Sequence, residues 1–470
     1  MCMSHVVTQV RVVYTLSSTI HPHCPSPSSI IYTVNMASVP TIDPHRYSKN
    51  PGGKFVSDEV ALFFENAGFM TPPENNKRRV SAAFLSGQTY PSVPVSPSSS
   101  EAISPASFPA SSTNAPQSEI EVPEYLNSIR TYELIGFNHD VAYDMWSRYI
   151  TGYPDDPEGD FMDYARAQIK YTHPVPHGLS TSEDWDEIMT RLGINSTLRA
   201  AILSPGFDDI RGTASCKHWV SQATEMRFEA LNQLMVYLSD EYERRKKQAE
   251  NCEDDDASSS AAPNTTTEEA PASLDGHTML WHACSKPAAD FCTSSWCLQL
   301  GKLDAHPGDF GGCRTYFTPQ WQTANRFAMY FKHIAPLAEM ALLQIAVPNA
   351  FLASLSKCTL SSEGDSSETW KKLVWSSRGC RSLGGEDLMD LCERDLSVAH
   401  ILVSANARFD EVNGYAALQS SDALMVEVDG EWEKAEQWSF SQWGPENDFA
   451  ELCKGKCWVH AVGRLVRTST

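Results

Sequence analysis

The chain has 470 residues, 41% of them hydrophobic, enough for two or three domains with cores of ordinary size. Its 37 Lys and Arg against 59 Asp and Glu leave a net charge of −22, a surface that repels phosphate backbones and argues against nucleic acid as a general partner. The 13 cysteines include no CxxC pairs at zinc-ribbon spacing, so they read as reduced, buried thiols of an intracellular protein, and no metal site is expected.

The first forty residues are β-branched and Ser-rich, without the unbroken apolar core of a signal peptide. No stretch of the chain approaches the length of a membrane-spanning helix, so a cytoplasmic or nuclear location and no membrane partner are expected. Two starts stand open, Met1 and Met36, where "MASVP" begins like an ordinary cytosolic terminus. Residues 1–118 read as largely disordered. "SDEVALFFENAGF" is the exception, a short helix with Ser57 as its cap, and Pro91 to Gln117 is a Pro/Ser linker nearly free of large apolar side chains.

Residues 119–248 read as a helical domain. "SEDWDEIMTRLGINSTLRAAIL" opens on Thr181 or Ser182 with acidic residues in its first turn. In "MRFEALNQLMVYLSDEYERRKK", Phe228, Leu231, Leu234, Met235, Leu238 and Tyr242 form one stripe at steps of three and four. The basic end of that helix suits its dipole. No nucleophile-and-base constellation appears in this region, which would serve to select a partner or substrate. Residues 249–275, acidic and without Lys or Arg from Asn251 onward, form a second linker.

Residues 276–467 alternate. "HTMLWHAC", "RTYFTP", "MALLQIAVP", "WKKLVWSSRG", "AHILVSANA" and "KCWVHAVG" read as strands. "QWQTANRFAMYFKHIA", "AFLASLSKC" and "EDLMDLCERD" read as helices, and "DALMVEVDGEWEKAEQWSFSQ" reads as a hairpin about an Asp-Gly turn. Strands broken by helices without regular βαβ repetition predict an α+β domain behind an all-α domain and a disordered N-terminal region.

Two features of this last region carry chemistry. His282 lies in an otherwise apolar strand, and "GDFGG" leads through Gly311 and Gly312 into Tyr316 and a helix. Paired glycines let a backbone approach a ligand closely, and an aromatic leaving such a loop can face a planar ring. Taken singly, a strand histidine and a strand tyrosine are ordinary core residues. Asp309 braces its own turn and His306 is a solvated loop residue. Arg378 in "VWSSRG" is either a plain surface arginine or a bidentate partner for a pyrophosphate.

"WHAC", "GDFGGCRTYFTP" and "QTANRFA", in that order, resemble the ADP-ribosyltransferase fold, in the His-Tyr-X branch of poly(ADP-ribose) polymerases, diphtheria-type toxins and small uncharacterised bacterial relatives. The resemblance covers Gly276 to about Arg467. It implies NAD as substrate and transfer of ADP-ribose to a protein, a small acceptor or water. It further implies that His282 bonds a ribose hydroxyl, that the Ala283 backbone meets the nicotinamide amide, and that Tyr316 and Phe327 wall the nicotinamide ring. A later strand should supply a polar residue, usually Glu, to steady positive charge on the sugar. In "KAEQWSF", alternation puts Glu436 with Trp438 and Phe440 on one face and Gln437 with Ser439 on the other. With the aromatics taken as the core face, Gln437 rather than Glu436 looks into the cleft. A neutral amide orients a ribose but does not stabilise an oxocarbenium ion as a carboxylate does. Ala283 also replaces the glycine usual in the family. These two departures leave open an alternative, a catalytically degenerate fold that serves as a binding module. An RNA 2′-phosphotransferase would need a basic groove that this acidic chain does not advertise.

Overall fold

The computed structural model describes residues 53–81, 119–151, 160–172, 182–251, 270–294, 303, 310, 314–379, 391, 394–403, 414–441 and 446–462, all within one unit, Pro51–Thr470. The Pro/Ser stretch at 91–117, nearly all of the acidic linker and most of the helix expected at "EDLMDLCERD" lie outside these residues.

Ser57 accepts the Val60 N–H and opens α1 (Asp58–Asn66), whose first turn carries Asp58 and Glu59 at the positive end of the dipole. β1 (Lys77–Ser81) pairs antiparallel with β2 (Glu119–Pro123). Phe64, Val80 and Val122 are buried in the same cluster as the helices that follow. These are α2 (Ile129–Ile135), α3 (His139–Thr151), α4 (Phe161–Tyr171), α5 (Ser182–Arg191), α6 (Ser196–Ile202), α7 (Asp208–Arg211) and α8 (Cys216–Asn251). The stripe on α8 falls where its spacing puts it. Leu231, Leu234 and Leu238 are buried, and Phe228, Met235 and Tyr242 pack at the margin. Each fully buried side chain of this size stabilises by roughly 1.5–3 kcal/mol.

The C-terminal part contains β3 (His277–Ser285), α9 (Lys286–Ser294), β4 (Arg314–Phe317), α10 (Trp321–Ile334), β5 (Met340–Pro348), α11 (Asn349–Ser354), β6 (Lys357–Leu360), α12 (Ser367–Gly379), β7 (Leu396–His400), β8 (Met425–Val428), β9 (Glu431–Lys434), β10 (Glu436–Ser441), α13 (Glu446–Leu452) and β11 (Cys457–Ala461). One sheet has the order β11-β5-β3 and the other β4-β10-β7-β6. All pairings are antiparallel except β6 with β7. The result is a mixed helix and sheet architecture, as the alternating pattern predicts. Among the described residues a single bridge, Trp281 to Thr318, joins the two sheets. Leu280, Cys284, Leu343, Phe317, Val398 and Phe440 belong to one cluster drawn from both sheets. On the far side of the first sheet, α10 packs Ala324 and Ala328 on Trp281 and Leu342. On the far side of the second, α12 packs Trp370, Leu373 and Val374 on Cys358, Leu360 and Ala399.

Several elements differ from their sequence reading. "WKKLVWSSRG" is helix α12, not a strand, because Trp370, Leu373 and Val374 at steps of three and four give one continuous apolar face for β6 and β7. "AFLASLSKC" ends its helix at Ser354, and "KCTL" becomes β6 with alternate residues buried. The Asp-Gly hairpin forms between β8 and β9, with Asp429 and Gly430 both at positive φ. "EQWSF", however, leaves the hairpin for the large sheet.

Candidate functional site

Period two along β3 turns Leu280 and Cys284 into the inter-sheet core, and His282 shares their face. The imidazole is 8% exposed and lies 5.4 Å from the Phe317 ring. Its Nδ1 is 2.6 Å from the Tyr316 carbonyl oxygen. A carbonyl only accepts, so Nδ1 carries a proton, and in the singly protonated tautomer Nε2 is the acceptor nitrogen. Trp281 exchanges both backbone bonds with Thr318 across the sheet junction. Alternation aims the Ala283 N–H and C=O toward β4 as well, beyond the point where that pairing stops.

The same period on β4 places Arg314 and Tyr316 on one face and Thr315 and Phe317 on the other. The Tyr316 ring lies parallel to Phe310, 6.4 Å between centroids, and its hydroxyl oxygen accepts the Phe310 N–H at 3.4 Å. Tyr316 therefore packs with the α12 cluster, while His282 stands on the opposite face and meets its carbonyl. Phe327 packs in the first cluster, against Phe331 and the helical part of the chain. Tyr316 and Phe327, expected as two walls of one slot, belong to different clusters. Tyr316 finds its parallel ring in Phe310 instead.

Strand β10 lies beside β4 in a fixed register, Trp438 opposite Phe317 and Ser439 opposite Tyr316. The alternation expected for "EQWSF" holds, with Glu436 and Trp438 sharing the face of Phe317 and His282. Gln437, 8% exposed, stands opposite Ala399 on the α12 face with Tyr316. Both faces of this sheet carry a core, so the aromatic face is not the sole buried one. The carboxylate on the histidine's side is Glu436.

Glu436 is held from two directions. Its N–H donates to Gln320 Oε1 at 2.9 Å, and its Oε2 accepts the Trp438 indole N–H at 3.2 Å. Gln320 also donates from Nε2 to the Lys434 carbonyl at 3.0 Å, bracketing the chain where it leaves β9 for β10. His400 stands opposite Glu436 on β7. Its Nδ1 accepts the Ser362 N–H at 3.2 Å and lies 2.9 Å from Ser362 Oγ. Lys434 Nζ donates to Ser362 Oγ and Ser420 Oγ and pairs with Glu363. Burial first, and then the Lys434 ammonium, hold His400 below the usual imidazole range.

One residue at the site is not foreshadowed by the sequence. Arg314, 2% exposed, donates to Ser439 Oγ, Ser397 Oγ and the carbonyls of Ser439 and Arg394, and lies over the Phe310 ring. It cross-braces β4, β10 and β7 beneath Tyr316. Arg378 falls within the last turn of α12. Gly311 and Gly312 lie outside the described residues, as do Asp309 and His306. Among the described residues, no group of three or more His, Cys, Asp or Glu could hold a metal ion, and no helix is long and apolar enough to cross a membrane. No family model, curated protein or solved structure matches the chain.

Proposed function

We propose that the chain cleaves NAD and transfers ADP-ribose to a protein or small acceptor. One observation carries this reading. His282, Tyr316 and the Glu436–Gln437 pair, far apart in sequence, stand on three successive strands, β3, β4 and β10, at the junction of the two sheets. The resemblance of the motifs to ADP-ribosyltransferases needs those strands adjacent. His282 Nε2, an acceptor because Nδ1 donates to the Tyr316 carbonyl, has the chemistry for a ribose hydroxyl, although the atom is buried and the cleft would have to open to admit one. The Ala283 backbone, aimed past the junction, suits the nicotinamide amide. As the nicotinamide–ribose bond breaks, its electron pair leaves with nicotinamide and positive charge builds on the sugar. Glu436 faces that charge and takes the proton of the acceptor whose oxygen or nitrogen closes on the anomeric carbon.

The placement of Glu436 on the histidine's face favours turnover over the neutral Gln437. The test is nicotinamide release by the full chain. Glu436→Gln is expected to lower kcat by about 10²-fold, and Gln437→Ala to leave it within a few-fold. Loss in Gln437→Ala with Glu436→Gln near wild type would make Gln437, not Glu436, the acting residue. No release by the wild type and no calorimetric heat with NAD would remove the reading altogether.

A second reading has its own observation. Tyr316 already stacks on Phe310, and Phe327 is packed among the helices, so neither aromatic stands free as a wall. That favours a degenerate fold used as a binding module, for which the wild type binds NAD or a protein partner without releasing nicotinamide.

A further inference from the structure

Glu436 sits at the first position of β10, where a side chain at a strand's mouth would ordinarily sample several rotamers. Two residues from separate places in the chain restrict it. Trp438, two residues on and therefore on the same face, turns its indole N–H back to Glu436 Oε2 at 3.2 Å. Its ring is set by the inter-sheet core below and by Lys357 Nζ, 5.1 Å from the ring centroid. Gln320, between β4 and α10, accepts the Glu436 N–H and donates to the Lys434 carbonyl. Gln320 is itself fixed, its Oε1 accepting the Thr323 hydroxyl and its N–H donating to Thr318 Oγ1. Thr318 is the residue whose backbone makes the bridge to Trp281.

Gln320 therefore ties the strand of Glu436 through its side-chain amide, and the strand of His282 at one remove, through its backbone N–H to Thr318. A tryptophan ring is a rigid support, and its N–H is a donor only. It aims the Glu436 carboxylate along the face shared with Phe317 and His282. From this geometry we infer that Trp438 and Gln320 are positioning residues that act on the reaction through Glu436, Trp438 by aiming the carboxylate and Gln320 by fixing the backbone that carries it. The inference rests on Glu436 being the carboxylate of the proposed transfer, and it adds the residues that would set its rate.

Trp438→Phe keeps the aromatic packing and removes the one donor. Gln320→Ala removes the backbone clamp and, with it, the acceptor of the buried Thr323 hydroxyl, but no apolar core side chain. In the full chain Trp438→Phe is expected to lower kcat for nicotinamide release roughly 10- to 100-fold, the loss of one hydrogen bond to a carboxylate, and Gln320→Ala by a similar factor through release of the backbone that carries it. KM for NAD should stay within a few-fold of the wild type. Wild-type kcat in both variants, or a loss confined to KM, would overturn the inference. A readout independent of turnover keeps it testable if the wild type proves silent. In protein labelled with 15N-tryptophan, the Trp438 indole resonance, assigned by its disappearance in Trp438→Phe, should move upfield in Glu436→Ala. It should also move in Gln320→Ala, where the carboxylate loses its backbone anchor. A resonance unmoved in both variants would end the inference whatever the activity. A resonance that moves in a protein that releases no nicotinamide would keep the clamp and refute only the transferase reading.

Discussion

His400 shows how one backbone amide and burial fix the charge of a side chain. Its Nδ1 accepts the Ser362 N–H, so protonation at that nitrogen would break a bond to a serine that is 1% exposed. Burial and the Lys434 ammonium both disfavour the imidazolium, and Glu436 and Glu363 only partly oppose them. The native pKa therefore lies below the value of about 6.5 that the unfolded chain shows. In the interval between the two values the unfolded state binds the proton and the native state does not, so stability rises with pH there. The contribution is complete above the unfolded value and is lost as pH falls toward the native one. Urea unfolding between about pH 7 and pH 5 should show this decline, and His400→Gln should flatten it. Part of any residual slope belongs to His460, whose pKa burial also lowers. An unchanged slope in the variant would refute the argument. The sequence shows a histidine at the end of a strand but not the amide that holds it neutral. Arg314 is hidden for the same reason, since its partners Ser397 and Ser439 lie 83 and 125 residues away and become neighbours only through register.

Helix α10 is the element with two buried faces. One side, Ala324 and Ala328, lies on the β3–β5 sheet; the other, Tyr330 and Ile334, enters the core of the helical part. Arg326 fixes the second contact, donating from Nε and Nη2 to the two Asp209 carboxylate oxygens, donating also to the Gly206 carbonyl, and lying over Phe207. The pair is about one-third exposed on either side, so screening limits its worth. Arg326→Ala and Asp209→Ala should each cost about 1 kcal/mol, and the double variant less than their sum by roughly 0.5–1 kcal/mol. Additive losses in urea unfolding would show that the two do not act as a pair. The helical period and the Tyr316 strand before it are plain in the sequence, because strands and helices of this kind are written locally. "WKKLVWSSRG" was open to misreading because its aromatic and β-branched residues suit a strand. Only the steps from Trp370 to Leu373 and Val374 point to α12. The site was half legible: its three strands could be found one by one, but which face of β10 meets His282 depends on a sheet with cores on both sides.

Across the whole molecule, the acidic segment before residue 270 looks in the sequence like a boundary between independent parts. The packing crosses it. Tyr330, Ile334, Ile401, Leu424, Val426 and Ala435 from the C-terminal part share one apolar cluster with Val220, Leu231 and Leu238 from the helices. Tyr330 donates to the Ile202 carbonyl, and Arg227 donates from Nε to the Ile334 carbonyl at 2.7 Å. Composition marks where a chain is solvated, but it cannot say which apolar stripes meet across that interval. A fragment of residues 270–470 would leave this side of α10 and the β7–β10 end of the large sheet in water. Uncovering several such side chains at roughly 1.5–3 kcal/mol each should lower Tm by about 10 °C or more relative to the full chain. It should also raise binding of a hydrophobic dye. A second chain of residues 53–251 added in trans should reverse both changes, because it restores the buried face rather than any covalent tie. Equal Tm and no dye binding would instead make the shared cluster a contact of little weight. Because Ala435 in that cluster directly precedes Glu436, and Gln320 directly precedes α10, the same loss should loosen the carboxylate. On the proposed transfer, nicotinamide release by the fragment should then fall with its Tm and recover with the added helices, and on the binding-module reading the Tm and dye changes alone should be seen.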